Sequence, residues 1–312
     1  LARCDLVTGL VGEFPELQGV VGGLLAAAEG EPAVVVDALS RLYRPAGPAD
    51  DLPQAPVSRL LGLADRLDTV VGGFAAGLVP SGSKDPFALR RAGTGLIRLA
   101  AASPGLDLRE AIDEAVRVLG ETQPGELVER AAEAREAVVE FLLDRFTMLA
   151  EREGARYDEI SAVRAVAGQS FVPSDLFRRV RALAAFRESE DFLVLAGASK
   201  RVRNILAQAA ERGDSVEPGQ REERLEEPGA LALQEEVAQV ERELSDLGTP
   251  PDYRAALARL AATRRAVDRF FDEVLVMDPD EERRAARLGL LARLNELAQD
   301  VVDLSRIVVE GD

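Results

Sequence analysis

Apolar residues recur three and four positions apart along almost the whole chain, and the alternation that marks a half-buried β-strand is scarce. Ala, Leu and Val supply most of these positions, because aromatic residues make up only 4% of the 312 residues and Trp is absent. Small and aliphatic side chains at this spacing are typical of packed helices. The sequence therefore predicts an all-α protein of about two domains, since domains commonly hold about 150 residues.

The chain contains no His, which excludes histidine metal sites, Ser/His and Cys/His nucleophile pairs, and histidine general bases. Its single cysteine, Cys4, excludes a disulfide framework and a thiolate zinc cage. We interpret Cys4 as a small buried residue on a helix rather than as a reactive thiol. This cysteine usage is most simply that of a cytosolic, cytoplasmic protein.

The formal net charge is −17, so long-range electrostatics repel nucleic acid on average. Binding to a polyanion would therefore require a local basic patch. No apolar run is long enough for a membrane span, and no signal peptide pattern is present. The chain opens on Leu1 in the middle of a helical pattern, which leads us to expect a part of a longer protein.

Proline, glycine and charge runs divide the helical pattern into segments. Helices are predicted from Pro15 to about Gly30, from Glu31 to Leu42, from about 57 to 76, from Pro86 to Leu99, after Leu106, and then at 124–153, 155–166, from Pro173, and at 191–212, 230–247, 251–276 and 280–309. The segment 214–228 contains Gly, Pro, Glu and Arg with almost nothing apolar, so we expect an exposed, mobile loop there. Domain boundaries are predicted near Gly105 and near Pro173.

Two carboxylates, Asp65 and Asp68, lie three residues apart on one predicted helix. This spacing places both on one face, where they could hold a hard cation. The alternative is a solvated face with Arg66 nearby, which we prefer. A helical His-Asp phosphohydrolase would need several histidine ligands, which the composition does not supply.

A basic segment runs from Ser83 to Ala92. Pro86 fits the first turn of a helix, and Asp85 suits its N-terminal cap. Phe87 and Leu89 are expected to point inward, while Lys84, Arg90 and Arg91 stay outside. The segment predicts either a well-capped helix with a basic surface or a patch that contacts phosphates.

A second basic segment contains Lys200, Arg203 and Asn204 at positions i, i+3 and i+4 of a predicted helix, with Val202, Ile205 and Leu206 available for packing. The preceding helix adds Arg178, Arg179 and Arg181. An arginine fork can grip a phosphate or a base edge, and an asparagine amide can read a base. The alternative is a solvated face. The apolar segment from Phe270 to Asp278 is predicted to lie in the core.

Four blocks, in this order, resemble the β subunit of the heterotetrameric bacterial glycyl-tRNA synthetase. The blocks are Cys4-Asp-Leu-Val-Thr8 with Glu13-Phe-Pro-Glu-Leu-Gln-Gly19, Lys84-Asp-Pro-Phe-Ala-Leu-Arg-Arg91, Lys200-Arg-Val-Arg-Asn-Ile-Leu206, and Phe270-Phe-Asp-Glu-Val-Leu-Val-Met277. Together they span nearly the whole chain. The segment Ala64-Asp-Arg-Leu-Asp-Thr69 also resembles the pattern of this family.

The resemblance implies three parts of an all-α fold. Residues 1–105 would form an HD-like helical domain, 106–172 a helical body or linker, and 173–312 a DALR-type anticodon-binding helical bundle of the kind shared with arginyl-tRNA synthetases. The HD-like domain is degenerate, because Leu42-Tyr43 stands where some family members have a His before the Tyr. A metal role there is therefore in doubt.

In this family the α subunit activates glycine with ATP, while the β subunit supplies most of the tRNA recognition. The resemblance therefore implies the tRNA-recognition part of a glycine–tRNA ligase with no catalytic or metal-binding residue and no cofactor of its own, ATP and Mg being expected at the α subunit. The implied partners are tRNA(Gly) and the α subunit, and not a membrane.

The residues predicted to contact tRNA share a positive or amide side chain. They are Lys200, Arg201, Arg203, Asn204, Arg178, Arg181, Lys84, Arg90 and Arg91. Two alternative functions stay open. One is a helical scaffold that docks the α subunit without touching RNA, and the other is an HD-type metal phosphohydrolase.

Overall fold

A computed structural model describes residues 2–122, 125–168 and 170–308. The chain divides into two compact units, Leu1–Glu153 with Ser170–Asp175, and Gly154–Gln169 with Leu176–Asp312. The described residues form α-helices and short 3-10 helices, with a single isolated bridge between Ser81 and Lys84 and no strand. The predicted all-α class is therefore confirmed. None of the helices in these ranges has both the length and the apolar character needed to cross a membrane.

The first unit is built around one long central helix. Its helices are α1 (Gly9–Glu13), α2 (Val20–Ala28), α3 (Ala33–Arg41), α4 (Pro56–Ala75), α5 (Leu89–Ala101), α6 (Leu108–Thr122), α7 (Glu126–Glu133) and α8 (Arg135–Arg152). Helix α4 packs against α3, α5, α6 and α7, and its Val70 is fully buried. Helix α5 continues the core with Ile97 and packs against α8, which contributes Phe146. This packing of mostly aliphatic side chains follows from the helical spacing of apolar residues in the sequence.

The second unit gathers around two 21-residue helices, α11 and α15. Its helices are α9 (Tyr157–Arg164), α10 (Pro173–Phe186, whose first three residues belong to the first unit), α11 (Asp191–Glu211), α12 (Pro228–Ser245), α13 (Tyr253–Ala262), α14 (Arg264–Glu273) and α15 (Glu281–Val301). Helix α11 packs against α13, α14, α15 and the 3-10 turn Leu304–Arg306. The last helix ends earlier than the predicted 280–309, because the backbone is extended at Val302 and a separate 3-10 turn follows at Leu304–Arg306. The predicted last residue, 309, lies outside the described residues.

Two helices that the sequence predicts as continuous are each divided. The predicted helix 124–153 contains α7 and α8, which meet at Ala134, and its predicted first residue lies outside the described ranges. Helix α7 packs chiefly against α4 and α6, whereas α8 packs chiefly against α5, so one straight helix would not serve both surfaces. The predicted helix 251–276 divides at Thr263, whose buried hydroxyl donates to the Leu260 carbonyl at 2.7 Å. Neither break carries the Gly or Pro that marks a helix end in a sequence.

The segment 214–228 is not the unattached loop that its composition predicts. Arg284 of α15 donates to Asp214 at 2.7 Å, and Arg293 of α15 donates to Glu222 at 3.1 Å. The Gly219 N–H donates to the Gly289 carbonyl at 3.0 Å. The acidic residues that suggested a solvated loop are thus paired with arginines of α15. Composition alone does not show that α15 lies next to this segment.

Cys4 corrects a second expectation, because its side chain is exposed on the 3-10 helix Cys4–Val7. The buried interpretation failed because Asp5, and not Cys4, is the buried residue of this turn. The two compact units place residues 106–153 with the first unit. The division into 1–105, 106–172 and 173–312 stays a prediction.

Candidate nucleic-acid interface

Helix α11 presents one face to the core and another to solvent. Leu195, Val202 and Leu206 are buried against the neighbouring helices. Arg201 and Asn204 are exposed, and Lys200 is half-buried. At 100° per residue, positions 200, 201 and 204 fall within one sector of the helix. The structure therefore brings these three predicted residues together on one outward surface, which we call the α11 face.

Arg201 lies over an aromatic ring. Its guanidinium carbon is 3.7 Å from the centroid of the Phe271 ring on α14. Stacking of this kind fixes the plane of the guanidinium while its N–H groups stay free to bind an acceptor. The arrangement prepares Arg201 to meet a phosphate or a base edge without losing much side-chain freedom.

Asn204 lies one turn further along the α11 face. Its side chain is exposed and has no hydrogen-bond partner within the described part of the chain. A side-chain amide offers two donors and an acceptor, which is the pattern needed to pair with a base edge. Asn204 is therefore available to an external ligand.

Arg203 points to the side of the α11 face and is engaged within the protein. Its guanidinium donates to the Asp303 carboxylate and to the Ser305 hydroxyl. Burial alone would raise the pKa of the Asp303 carboxyl, but the hydrogen bonds from Ser305 and Arg203 hold that pKa below its usual range. Arg203 thus fastens the turn Leu304–Arg306 to α11, although 42% of its side-chain surface stays exposed.

Replacing Asp303 with asparagine is expected to lower the free energy of unfolding by about 1–3 kcal/mol, because a buried charge-assisted hydrogen bond is lost. The Asp303 pKa is held low in the folded protein, so its contribution is present above the unfolded value of about 3.9 and is lost as the pH falls below it. Urea unfolding followed by circular dichroism at pH 7 and at lower pH measures both effects. The exposed Asp246→Asn serves as control, and an equal effect of the two substitutions would contradict the assignment.

The predicted neighbours Arg178 and Arg181 lie on α10. The Arg178 guanidinium is 5.8 Å from the centroid of the Tyr253 ring, and that of Arg181 is 5.6 Å from the ring of Phe177. Between them, Arg179 lies 4.5 Å from the Tyr253 ring and donates at 2.5 Å to the carbonyls of Asp300 and Val301. Arg179 therefore holds α10 to the end of α15, and Arg178 packs on the same ring.

The basic segment of the first unit begins its helix later than predicted. Helix α5 starts at Leu89, and Asp85 caps it by accepting the N–H groups of Leu89 at 2.8 Å and Arg90 at 3.0 Å. Pro86 thus lies in the turn before the helix. Leu89 is buried as expected, but Phe87 is 56% exposed, so the prediction that it points inward is wrong. The cause is the left-handed backbone of Ala88 (φ 56°), which no periodicity argument foresees.

The three predicted basic residues of this segment have different surroundings. Lys84 is exposed in the turn before α5, and Arg90 is half-buried, with its guanidinium 3.4 Å from the Lys84 carbonyl. Arg91 is exposed at the rim of a cleft. The structure places all three on or beside the first turn of α5, in the first unit.

Asp65 and Asp68 do not form a metal site with other acidic residues. Asp65 accepts two hydrogen bonds from the Arg3 guanidinium, at 2.5 and 2.7 Å. Within the described ranges no group of three or more His, Cys, Asp or Glu residues could hold a metal ion. Arg66, expected on a solvated face, is instead buried, with 6% of its surface exposed.

Phe271 supports Arg201 of the α11 face, although the sequence predicts that this residue lies in the core. Phe270 is fully buried, while Phe271 is half-buried and carries Arg201. Two consecutive helical residues point about 100° apart, so both rings of a Phe-Phe pair rarely face one core. The Phe-Phe pair on a predicted helix was therefore the sequence signal that one of the two rings lies near the surface.

Two family models match the chain. The model described as glycyl-tRNA synthetase beta subunit matches residues 1–165, and the model described as DALR anticodon binding domain matches residues 195–306. The first covers more than half of the 312 residues. The second contains the whole α11 face and its partner Phe271.

Curated relatives resemble the chain along nearly all of its length. A glycine–tRNA ligase beta subunit of Aeromonas salmonicida is 43% identical over 307 residues, which is 98% of this chain and 43% of the relative. The subunit of Acidobacterium capsulatum is 42% identical over 313 residues, 99% of this chain and 43% of the relative. That of Pseudomonas aeruginosa is 42% identical over 306 residues, 98% of this chain and 43% of the relative. The chain thus spans less than half the length of these relatives.

Proposed function

Because the chain belongs to the glycyl-tRNA synthetase beta-subunit family, we propose that it is the tRNA-recognition part of a glycine–tRNA ligase. It would bind tRNA(Gly), including the anticodon, so that a partner α subunit can aminoacylate it. The observation that supports this most is the coincidence of the DALR anticodon binding match, residues 195–306, with the α11 face. The chain would act in the cytoplasm and would contribute to catalysis by positioning the tRNA.

The α11 face offers the two kinds of contact that such binding needs. Lys200 and Arg201 would meet phosphates, which supply affinity and make it salt-dependent. The amide of Asn204 would pair with an unstacked base, since sequence-specific RNA recognition mostly targets unpaired loops. Arg203, held by Asp303, would maintain the geometry at the edge of the surface. Arg178, Arg181, Lys84, Arg90 and Arg91 would extend the contacts to RNA backbone.

The chemistry of glycine activation would lie elsewhere. We infer that ATP and Mg bind the partner α subunit, as membership of the beta-subunit family implies. The chain's own residues would orient the tRNA and exclude wrong anticodons. A stand-alone HD-type phosphohydrolase gains no support from these residues.

The experiment is a binding titration of the 312-residue chain with tRNA(Gly) at low salt. The triple substitution Lys200→Ala, Arg201→Ala, Asn204→Ala is expected to weaken binding by about 100-fold, since a base contact is worth about 1–3 kcal/mol and each lost phosphate contact lowers the salt slope by about one. The exposed Arg242→Ala on α12 is the matched control and should change affinity little. Unchanged affinity of the triple variant would refute the α11 assignment.

A second arm separates base reading from backbone binding. A tRNA(Gly) with replaced anticodon bases should bind the unchanged chain weakly, whereas the triple variant should bind both tRNAs about equally. If the triple variant still discriminates, another surface reads the anticodon.

A second candidate function is a scaffold that docks the α subunit. It is favoured by α2, whose nine residues, Val-Val-Gly-Gly-Leu-Leu-Ala-Ala-Ala, carry no polar side chain. Val20, Leu24 and Leu25 of this helix are 50%, 65% and 46% exposed. Helices that are apolar all round are normally covered. This candidate predicts co-purification with the α subunit that Leu24→Glu abolishes, together with no tRNA affinity.

A further inference from the structure

A cleft of about 240 Å³ opens in the first unit. Its lining comes from the start of α5, the middle of α4, and residues 43–46, with Arg3 at one side. Arg3, Arg66, Phe87 and Arg91 are the charged and aromatic lining residues that an anionic ligand could meet. None of them belongs to the anticodon-binding match.

The lining is positively charged in a protein of net charge −17. It holds three arginines and one carboxylate, Asp65, which is already bound by Arg3. A cluster of this sign attracts an anion locally even though the whole chain repels one.

Arg66 forms the buried part of the lining and makes no ion pair with a carboxylate in the part of the chain that the structure describes. Its guanidinium donates to three backbone carbonyls, of Leu42 and Pro45 at 3.1 Å and of Gly62 at 3.0 Å. These bonds use three of its five N–H groups. Burial lowers the pKa of Arg66, and the nearby Asp65 carboxylate, which is hydrogen-bonded to Arg3, offsets this only in part. An anion in the cleft would add negative charge beside this guanidinium.

Two glycines, Gly62 and Gly95, lie directly against this guanidinium. A Cβ at residue 95 would lie 2.5 Å from the Arg66 Nε, so any larger residue there would force this hydrogen-bonded guanidinium to move. A Cβ at residue 62 would lie 3.2 Å from its Nη1. A buried arginine accommodated by two glycines is a built feature of the cleft and not a chance surface charge.

The rim adds a free cation and a free aromatic ring. Arg91 is exposed and makes no ion pair or side-chain hydrogen bond within the described ranges. Phe87 is 56% exposed. The next residue, Ala88, has a left-handed backbone at φ 56°, a conformation that costs an L-residue roughly 1–2 kcal/mol. The chain thus holds Phe87 at the rim at some cost in stability.

We propose that this cleft binds one nucleoside monophosphate unit, with the phosphate between Arg91 and Arg66 and the base stacked on Phe87. Arginines that are paired with backbone carbonyls or unpaired suit a phosphate, and an exposed ring beside them suits a base of any identity. The same chemistry is offered by a free nucleotide and by the terminal nucleotide of an RNA strand.

The test is calorimetric titration of the 312-residue chain at low salt with AMP and CMP, with adenosine and inorganic phosphate as partial ligands. Both nucleotides should bind, and each partial ligand should bind at least tenfold more weakly. Phe87→Ala and Arg91→Ala should each weaken AMP binding by about tenfold, since stacking and a charge-assisted hydrogen bond are each worth about that factor. The exposed Val79→Ala and Arg152→Ala are the matched controls and should leave binding unchanged.

A trinucleotide ending in a 3′ hydroxyl identifies the source. If it binds more tightly than AMP and AMP displaces it, the cleft takes a strand end; if it binds more weakly, the cleft takes a free nucleotide. Either result supports the proposal. Binding of inorganic phosphate as tightly as AMP, absence of binding by both AMP and the trinucleotide, or binding insensitive to Phe87→Ala and Arg91→Ala would overturn it.

The proposal does not depend on the α11 face. The triple substitution at Lys200, Arg201 and Asn204 should leave AMP binding intact. If that variant loses tRNA affinity but binds AMP normally, both sites are supported. If Phe87→Ala loses AMP binding but keeps tRNA affinity, the result supports the cleft and says nothing about the α11 face.

Discussion

Replacing Arg187 with methionine is expected to lower the free energy of unfolding by about 3–5 kcal/mol, because it leaves two carboxylates buried without a counter-ion. Arg187, in the turn directly after α10, donates to Asp158 at 2.6 Å and to Glu159 at 2.5 Å, both at the start of α9. Only 9% and 2% of those two acidic side chains is exposed. Methionine keeps most of the side-chain volume, so the loss reports the charge and not a cavity.

The pH dependence of this loss gives a sharper test. Burial alone would raise the pKa of Asp158, but Arg187 and the Val308 N–H hold it below its usual value. The stabilisation is therefore present above about pH 3.9, the unfolded value, and disappears as the pH falls further. In the variant the buried Asp158 carboxyl loses this partner and gains from protonation, so the difference in unfolding free energy between the two proteins should narrow from pH 7 towards pH 4.

Urea unfolding by circular dichroism measures the difference, and amide hydrogen exchange in α9 assigns it to this unit. The exposed Arg212→Met, at the end of α11, is the control and should change stability by less than about 0.5 kcal/mol. A loss in Arg187→Met that stays constant with pH would show that packing, and not the ion pairs, is responsible.

Replacing Arg287 with methionine is expected to have an effect of the same size, about 3–5 kcal/mol. Arg287 is 4% exposed on α15. It pairs with Glu227, donates to Asp278 at 2.6 Å, and donates to the Leu275 carbonyl at 2.6 Å. The substitution therefore affects the start of α12 and the turn before α15 together.

The exposed Arg283→Met, one turn earlier on α15, is the matched control and should be nearly neutral. Adding Glu227→Gln to Arg287→Met should recover part of the lost stability, because it removes one of the unpaired charges. Adding the neighbouring, exposed Glu226→Gln should recover none. Equal recovery by both would contradict the pairing and would indicate a general effect of net charge.

Local sequence patterns predicted most helices of this fold because each helix carries its own apolar face. Helix α11 is the clearest case, predicted at 191–212 and found at Asp191–Glu211. The division at Thr263 could not be predicted, since the residues there continue the helical pattern. The tertiary structure decides which helices pack against each other, and a short stretch of sequence does not contain that information.

The candidate site shows the same limit. The spacing of Lys200 and Asn204 correctly predicted a shared helix face, because side-chain direction on a helix follows from position alone. The ion pair of Arg203 with Asp303 joins residues 100 positions apart, and no local pattern predicts it. The exposure of Phe87 depends on one left-handed residue, Ala88. The nine predicted contacts with tRNA stay predictions.

The turn that holds Arg203 has a practical consequence for dissecting the protein. Residues 302–308 bind two helices at once. Asp303 accepts the Arg203 guanidinium of α11, while the Asp303 N–H donates to the Ala162 carbonyl of α9 at 3.1 Å and the Val308 N–H donates to Asp158 of α9 at 3.0 Å. A shortened version ending with α15 at Val301 would thus do more than remove a tail. It would release Arg203 beside the α11 face, increase the local positive charge, and strengthen unselective attraction to any RNA. Minimal versions of this bundle should therefore retain residues 302–308 if their selectivity is to be compared with that of the whole chain.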